Sequence, residues 1–95
     1  MSYLLDLGFE DGDIQTLSNT LKPGVIEQLE LFPKIVEVNY NILKDIGISN
    51  YKEVFMGHAH MFLQNPNKFQ AIFDKYDHDD LVRCLEKNAS IIEKL

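Results

Sequence analysis

Ninety-five residues, 45% hydrophobic and 25% charged with five Gly and three Pro, fit one folded domain, and exclude both a disordered chain and a core with a separate catalytic lobe. No apolar run approaches the roughly 18 residues a membrane helix needs. The formal charge of −6 is uneven: Asp6, Glu10, Asp11, Asp13, Glu27 and Glu30 face Lys22 alone in residues 1–33, and such an acidic third repels the phosphates on which non-specific nucleic-acid binding rests.

The N-terminus MSYLLDLGFEDGD has no basic residue before its short apolar stretch, unlike a secretory or transit signal, so a cytoplasmic address is expected. Cys84 has no second cysteine to pair with, which agrees with a reducing compartment.

Alternation of the strand type is nearly absent and helical spacing recurs throughout. In chain order, Leu4, Leu7, Gly8 and Phe9 form a first short apolar segment, and Asp11 and Asp13 open a helix carrying Ile14 and Leu17. The breaker Lys22-Pro23-Gly24 introduces a helix of about Val25 to Phe32. Pro33 opens the clearest helix, with Ile35, Val38, Ile42 and Ile46 on one stripe and Val36, Tyr40 and Leu43 widening it, so that it is covered on two sides. Gly47 supplies a left-handed cap. Asn50, with Glu53 three positions on, reads as a capping box for a helix bearing Tyr51, Val54 and Phe55. Asn65-Pro66 starts a helix with Phe69, Ile72, Phe73 and Tyr76. Asp77 or Asp79 caps the next, which buries Leu81, Val82 and Leu85, and Ile91, Ile92 and Leu95 close the chain as a last turn.

The stretch Ile42 to Phe62 recurs from Ile72 to Ile92. Ile42, Leu43, Ile46, Tyr51, Phe55, Ala59, Met61 and Phe62 fall on Ile72, Phe73, Tyr76, Leu81, Leu85, Ala89, Ile91 and Ile92. An apolar skeleton repeated at fixed period implies one supersecondary unit stacked on its copy. The expected fold is therefore all-α, a stack of short helix-turn-helix units forming a small helical-repeat or solenoid-like domain of six to eight helices. Residues 1–95 make a single domain, with a degenerate first unit (1–32) and repeat units 33–63 and 64–95. The second unit, shorter by three residues between its proline and Asp77, drops about one helical turn.

A long helix ending in Leu-x-x-Ile-Gly-Ile, a polar turn, a second helix and an apolar turn before a Pro-led return helix resembles the repeats of the mitochondrial transcription termination factor family. The matching stretches are LKDIGISNYKEVFMGHAHMFLQNPNKF and FDKYDHDDLVRCLEKNASIIEKL, with LLDLGFEDGDIQTL as a first copy. The resemblance implies a curved stack whose basic inner face grips a nucleic-acid duplex, here through Lys34, Lys44, Lys52, Lys68 and Lys75. The chain departs from that pattern in having a single arginine, Arg83, and the acidic first third. Over about fourteen residues, Leu4 to Phe9 and the polar start after it look like the first helix and loop of ubiquitin-associated domains, though the characteristic methionine is missing. A helix C-cap glycine followed by a hydrophobic anchor accounts for the same letters.

Chemical sites are few. His58 and His60, on a helix, point about 200° apart, and a transition-metal site needs further ligands, for which His78 and Cys84 are the only additions at hand. Repeat register puts His58 on Asn88, a capping or packing position, and Cys84 on the apolar Val54, a core position. The run Asp74 to Asp80 lacks the glycine and closing glutamate of a calcium loop, and its carboxylates suit the first turn of a helix. No catalytic residue, metal or cofactor is assigned. Phe55, Met56, Met61 and Phe62 form the densest apolar stretch, a core segment or, alternatively, a surface for a partner helix. The expectation is a non-enzymatic binding module, a protein-interaction or regulatory adaptor. Nucleic-acid binding through the five lysines is the alternative, and self-association through the open ends of the stack is a further outcome.

Overall fold

The computed structural model covers residues 1–95 and contains no β-strand. Seven α-helices and two 3₁₀ segments follow one another: α1 (Tyr3–Asp6), α2 (Asp11–Thr20), α3 (Pro23–Leu31), α4 (Pro33–Ile46), α5 (Tyr51–Gly57), the first 3₁₀ segment (Ala59–Leu63), α6 (Pro66–Asp74), α7 (His78–Lys87) and the second 3₁₀ segment (Ala89–Lys94). The two copies seen in the sequence thus share one succession: a Pro-led helix, a second helix, and a 3₁₀ return. No helix is long and apolar enough to cross a membrane.

Local chemistry sets most boundaries. Pro23, Pro33 and Pro66 occupy first helical positions, where a missing N–H costs nothing. Asn65 Oδ1 accepts from Asn67 N at 2.9 Å. Asp77, not Asp79, caps α7, its Oδ1 accepting from the amides of Asp79 and Asp80 at 2.9 and 3.3 Å. In α2 the Glu10 amide donates to Asp13 Oδ2 at 3.0 Å. Gly47 ends α4 in the left-handed region, φ 99°.

Two local expectations are corrected. Asn50 forms no side-chain cap on α5; its Nδ2 donates at 2.8 Å to the carbonyl of Leu85 at the end of α7, satisfying an acceptor that no local group can reach. The shortening of the last unit also exceeds one turn. α4 has 14 residues and α6 has 9, because α6 stops at Asp74 and the chain turns through residues 75–77 before α7.

Seventeen buried apolar residues form one cluster drawn from all three units, so the chain has one core. Its centre is a chain of aromatic contacts. Phe9 of the first unit meets Tyr40 and Phe55 at 5.4 and 5.1 Å between ring centroids, Phe55 meets Phe62 at 5.0 Å, Phe62 meets Phe69 at 5.4 Å, and Phe69 meets Phe73 at 4.9 Å. These separations are the favourable tilted and edge-on ones. α4 lies against α6 and the first 3₁₀ segment, α5 against the second 3₁₀ segment, and α3 against α4 and the first 3₁₀ segment. Within the core, the fully buried Asn39 pins the 3₁₀ return to α4, its Nδ2 donating to the carbonyls of Phe62 and Gln64, each at 2.8 Å. The radius of gyration is 12.7 Å, close to the roughly 12 Å of a globule this long, so three units close into a ball rather than an extended solenoid.

Stacking also decides which copy of a position is covered. α5 touches α4, the first 3₁₀ segment and the second, whereas α7 packs chiefly on α6 and the second 3₁₀ segment of its own unit. Val54 is accordingly buried while Cys84, thirty positions on, is exposed. Ile46 is half-buried, and its counterpart Tyr76 is exposed. Cys84 is therefore not a core residue, because α7 lacks the contacts on a second side that cover Val54 in α5.

Candidate functional site

The apolar stretch expected to offer a partner surface lies mostly inside. Phe55 and Phe62 are fully buried and belong to the aromatic chain, while Met56 and Met61 are half-buried against it. A docking surface built on the two phenylalanines is thus ruled out. They are the residues through which the units meet.

The five lysines are all exposed. Lys52 is committed, its Nζ donating to the carbonyl of Gly8 at 2.8 Å and lying 5.8 Å from the centre of the Phe9 ring. Lys34, Lys44, Lys68 and Lys75 make no ion pair. Lys44 sits in the last turn of α4, where a cation complements the helix dipole. At about 100° per residue, Lys34 stands opposite the buried face of Val36, Asn39, Tyr40 and Leu43, and Lys44 stands to one flank of it.

The two histidines converge on a residue that spacing alone does not single out. Glu93, in the second 3₁₀ segment, places Oε2 2.7 Å from His58 Nδ1 and Oε1 2.8 Å from His60 Nε2. The His60 contact is a hydrogen bond, whereas the His58 contact is close but poorly aligned. Partial desolvation raises the Glu93 pKa, and the bonds and charges from His60 and His58 outweigh it, leaving the carboxyl below its ordinary range. One oxygen serves each imidazole, so the three groups span a gap instead of meeting at a common point. No cluster of three or more His, Cys, Asp or Glu has metal-holding geometry. His78 pairs elsewhere, 3.7 Å from Asp74, and Cys84 lies apart on α7. The clasp joins the 3₁₀ returns of the last two units beside an open cleft of about 460 Å³ lined by Thr20, Leu21, Lys22, Val25 and His60.

The acidic run behaves as helix-end chemistry. Asp77 caps α7, Asp79 and Asp80 occupy its first turn, and Asp80 is held by Arg83, whose guanidinium is pushed further up by that bond.

Of the five large apolar residues left exposed, three lie at the corner between α3 and α4, and Leu5 and Tyr76 lie elsewhere. Leu31, Phe32 and Val38 are 63%, 48% and 40% exposed, and the half-buried Ile35 between them lies outside the core cluster. Phe32, Ile35 and Val38 follow at three-residue intervals, so they form one stripe along the start of α4 with Leu31 at its head. Glu27, Glu30, Glu37 and Asp45 stand on these two helices, all exposed, with Lys34 and Lys44 as the only cations. The Leu31-Phe32-Pro33 junction was the available signal, since two large apolar residues directly before a helix-opening proline sit where the chain is turning at the surface.

No protein-family model, no curated protein and no solved structure matches this chain.

Proposed function

We propose that this chain is a non-enzymatic protein-binding module, a small regulatory adaptor of the cytoplasm. The observation that supports it is the α3–α4 corner, which gathers three of the five large apolar side chains that stay exposed, Leu5 and Tyr76 being the others. Contiguous exposed apolar surface with a polar rim is the usual mark of an interaction site. The aromatic chain, Asn39 and the histidine clasp are engaged in holding the units together, which leaves the corner available for a partner.

A second reading is nucleic-acid binding, in keeping with the termination-factor resemblance. It draws support from the four exposed lysines without ion-pair partners. Anisotropy of a labelled duplex separates the two readings. At about 50 mM salt, conditions that favour electrostatic contact, the adaptor reading expects no binding. Binding that falls steeply with salt and is lost when Lys34, Lys44 and Lys68 become Glu would replace it.

A further inference from the structure

Beyond the adaptor reading, and at a different place in the fold, we infer that the cleft between α2, α3 and the first 3₁₀ segment binds a small carboxylic acid. The ligand carries a short apolar tail and a hydrogen-bond donor on the carbon next to its carboxylate. The cleft is open and measures about 460 Å³, within the size range of small-molecule sites. Thr20 at the end of α2, the linking Leu21 and Lys22, Val25 of α3 and His60 line it, so the first and middle units both supply its walls.

Each lining group complements a different part of such a ligand. Lys22 is the one cationic side chain in residues 1–33, it makes no ion pair, and no carboxylate lines the cleft to compete for it. Its ammonium is therefore available to a ligand carboxylate. Thr20 donates its hydroxyl proton to the carbonyl of Thr16 at 2.8 Å, which leaves its oxygen as an acceptor. His60 has Nε2 hydrogen-bonded to Glu93 Oε1 at 2.8 Å. An ionised carboxylate can only accept, so the proton of a neutral imidazole sits on Nε2 and Nδ1 is left as a second acceptor. Leu21 and Val25, both half-buried, offer apolar area to a branched tail.

Charge narrows the class. The chain carries −6 and Glu93 stands against His60, so a multiply charged anion such as a phosphate ester meets a repulsion that a single carboxylate largely escapes and a zwitterion escapes altogether. An apolar α-amino acid and its α-hydroxy counterpart share the required chemistry, since an ammonium or a hydroxyl supplies the donor that the two acceptors call for. His60 belongs to the cleft and to the clasp at once, so a ligand held there also bears on Glu93 and the last unit.

The test follows the amide and imidazole resonances of the isotope-labelled intact chain by NMR as L-leucine, its α-hydroxy analogue, isocaproate, isoamylamine and inorganic phosphate are added separately. Leucine or the hydroxy acid gives saturable shifts centred on Thr20, Leu21, Lys22, Val25 and His60, and the tighter of the two identifies the donor. Isocaproate, which lacks the donor, binds about threefold or more less tightly, and isoamylamine, which lacks the carboxylate, about tenfold or more. Lys22→Gln lowers the affinity about tenfold and Thr20→Val about threefold. Both positions are exposed, and unchanged thermal melts by circular dichroism establish that the variants fold.

Absence of saturable shifts at these five residues up to about 20 mM of either acid overturns the inference. Equal affinity for isoamylamine, or full affinity in Lys22→Gln, does the same. Phosphate bound as tightly as leucine overturns the ligand class, because a bare charge then accounts for the binding. Capture of a protein through the α3–α4 corner is independent of all these results, so the cleft and the adaptor reading fail separately.

Discussion

Gly8 and Gly47 hold the same backbone conformation, φ 98° and 99°, at the ends of helices of very different length. The next amide returns to the carbonyl five residues earlier in both cases, Phe9 to Leu4 at 3.0 Å and Ile48 to Leu43 at 3.3 Å. The glycine amides reach Leu5 and Lys44 at 3.1 Å, which completes the same double-bonded helix end twice. Leu4, Leu43, Phe9 and Ile48 are all buried, so the motif fixes equivalent anchors in the core. The helix end at Leu4 to Phe9 thus repeats the one at Leu43 to Ile48, and it accounts for the Leu4 to Phe9 letters without a ubiquitin-type loop.

Gly47→Ala is expected to cost about 1–2 kcal/mol from backbone strain alone, since a methyl group there meets nothing within 4 Å. Gly8→Ala carries the same strain and also displaces the Lys52 ammonium, 3.3 Å from the new methyl group. Gly12→Ala, in α2 with an ordinary helical φ, is neutral or slightly stabilising. Urea unfolding midpoints of the three variants check the ordering.

Asn39 closes the 3₁₀ return of the middle unit, and Asn39→Ala leaves the carbonyls of Phe62 and Gln64 without a donor inside the core. A loss of about 2–4 kcal/mol is expected, a large part of the stability of a domain of this size. Asn39→Asp is worse, because a carboxylate cannot donate to either carbonyl and brings a buried charge. Guanidinium unfolding with unchanged slope is the readout.

Val54 and Cys84 share a repeat position and differ in cover. Val54→Ala is expected to cost about 2 kcal/mol, whereas Cys84→Ser changes stability by less than about 0.5 kcal/mol. The exposed Cys84 thiol is expected to react fully with a thiol reagent without denaturant. A thiol that reacts only after unfolding would mean that the last unit is covered.

The histidine clasp gives the fold an acid limit. The folded carboxyl of Glu93 lies below its ordinary value of 4.5, so its contribution is complete above that value and is lost as pH falls through the lowered one. Glu93→Gln lacks this contribution. The stability gap between wild type and Glu93→Gln, measured by urea midpoints, is expected to close as pH falls below the ordinary carboxyl value of 4.5. A gap that widens on acidification would reverse the sign.

What the sequence makes legible here is chemistry that acts within a few residues. Pro33, Pro66, Asn65, Asp77 and Gly47 each act on their own helix end, and each performs there as its residue type requires. The repeat is legible because Leu43 and Phe73, or Phe55 and Leu85, fill the same place in successive units, all buried. Contacts between units are not legible in this way. Asn50 reaches Glu53 only at 3.4 Å and makes its shorter bond, 2.8 Å, to Leu85, 35 positions on, and Glu93 lies 33 positions from His60. Cys84 has the letter of a core residue and the register of one, and only the packing of α7 on fewer neighbours than α5 exposes it. The α3–α4 corner escapes for the same reason, since Val38 continues the apolar stripe of α4 and nothing local says that the stripe is left uncovered there.

The central claim is that the corner of Leu31, Phe32 and Val38 is where this domain meets another protein. Affinity capture from nuclease-treated extract of its own cells, with wild type beside Leu31→Ser combined with Phe32→Ser, tests it most directly. The account predicts a partner retained in stoichiometric amount by the wild type and lost by the variant. A partner retained equally by both, or capture of nucleic acid that vanishes on nuclease treatment with no protein left behind, would contradict it.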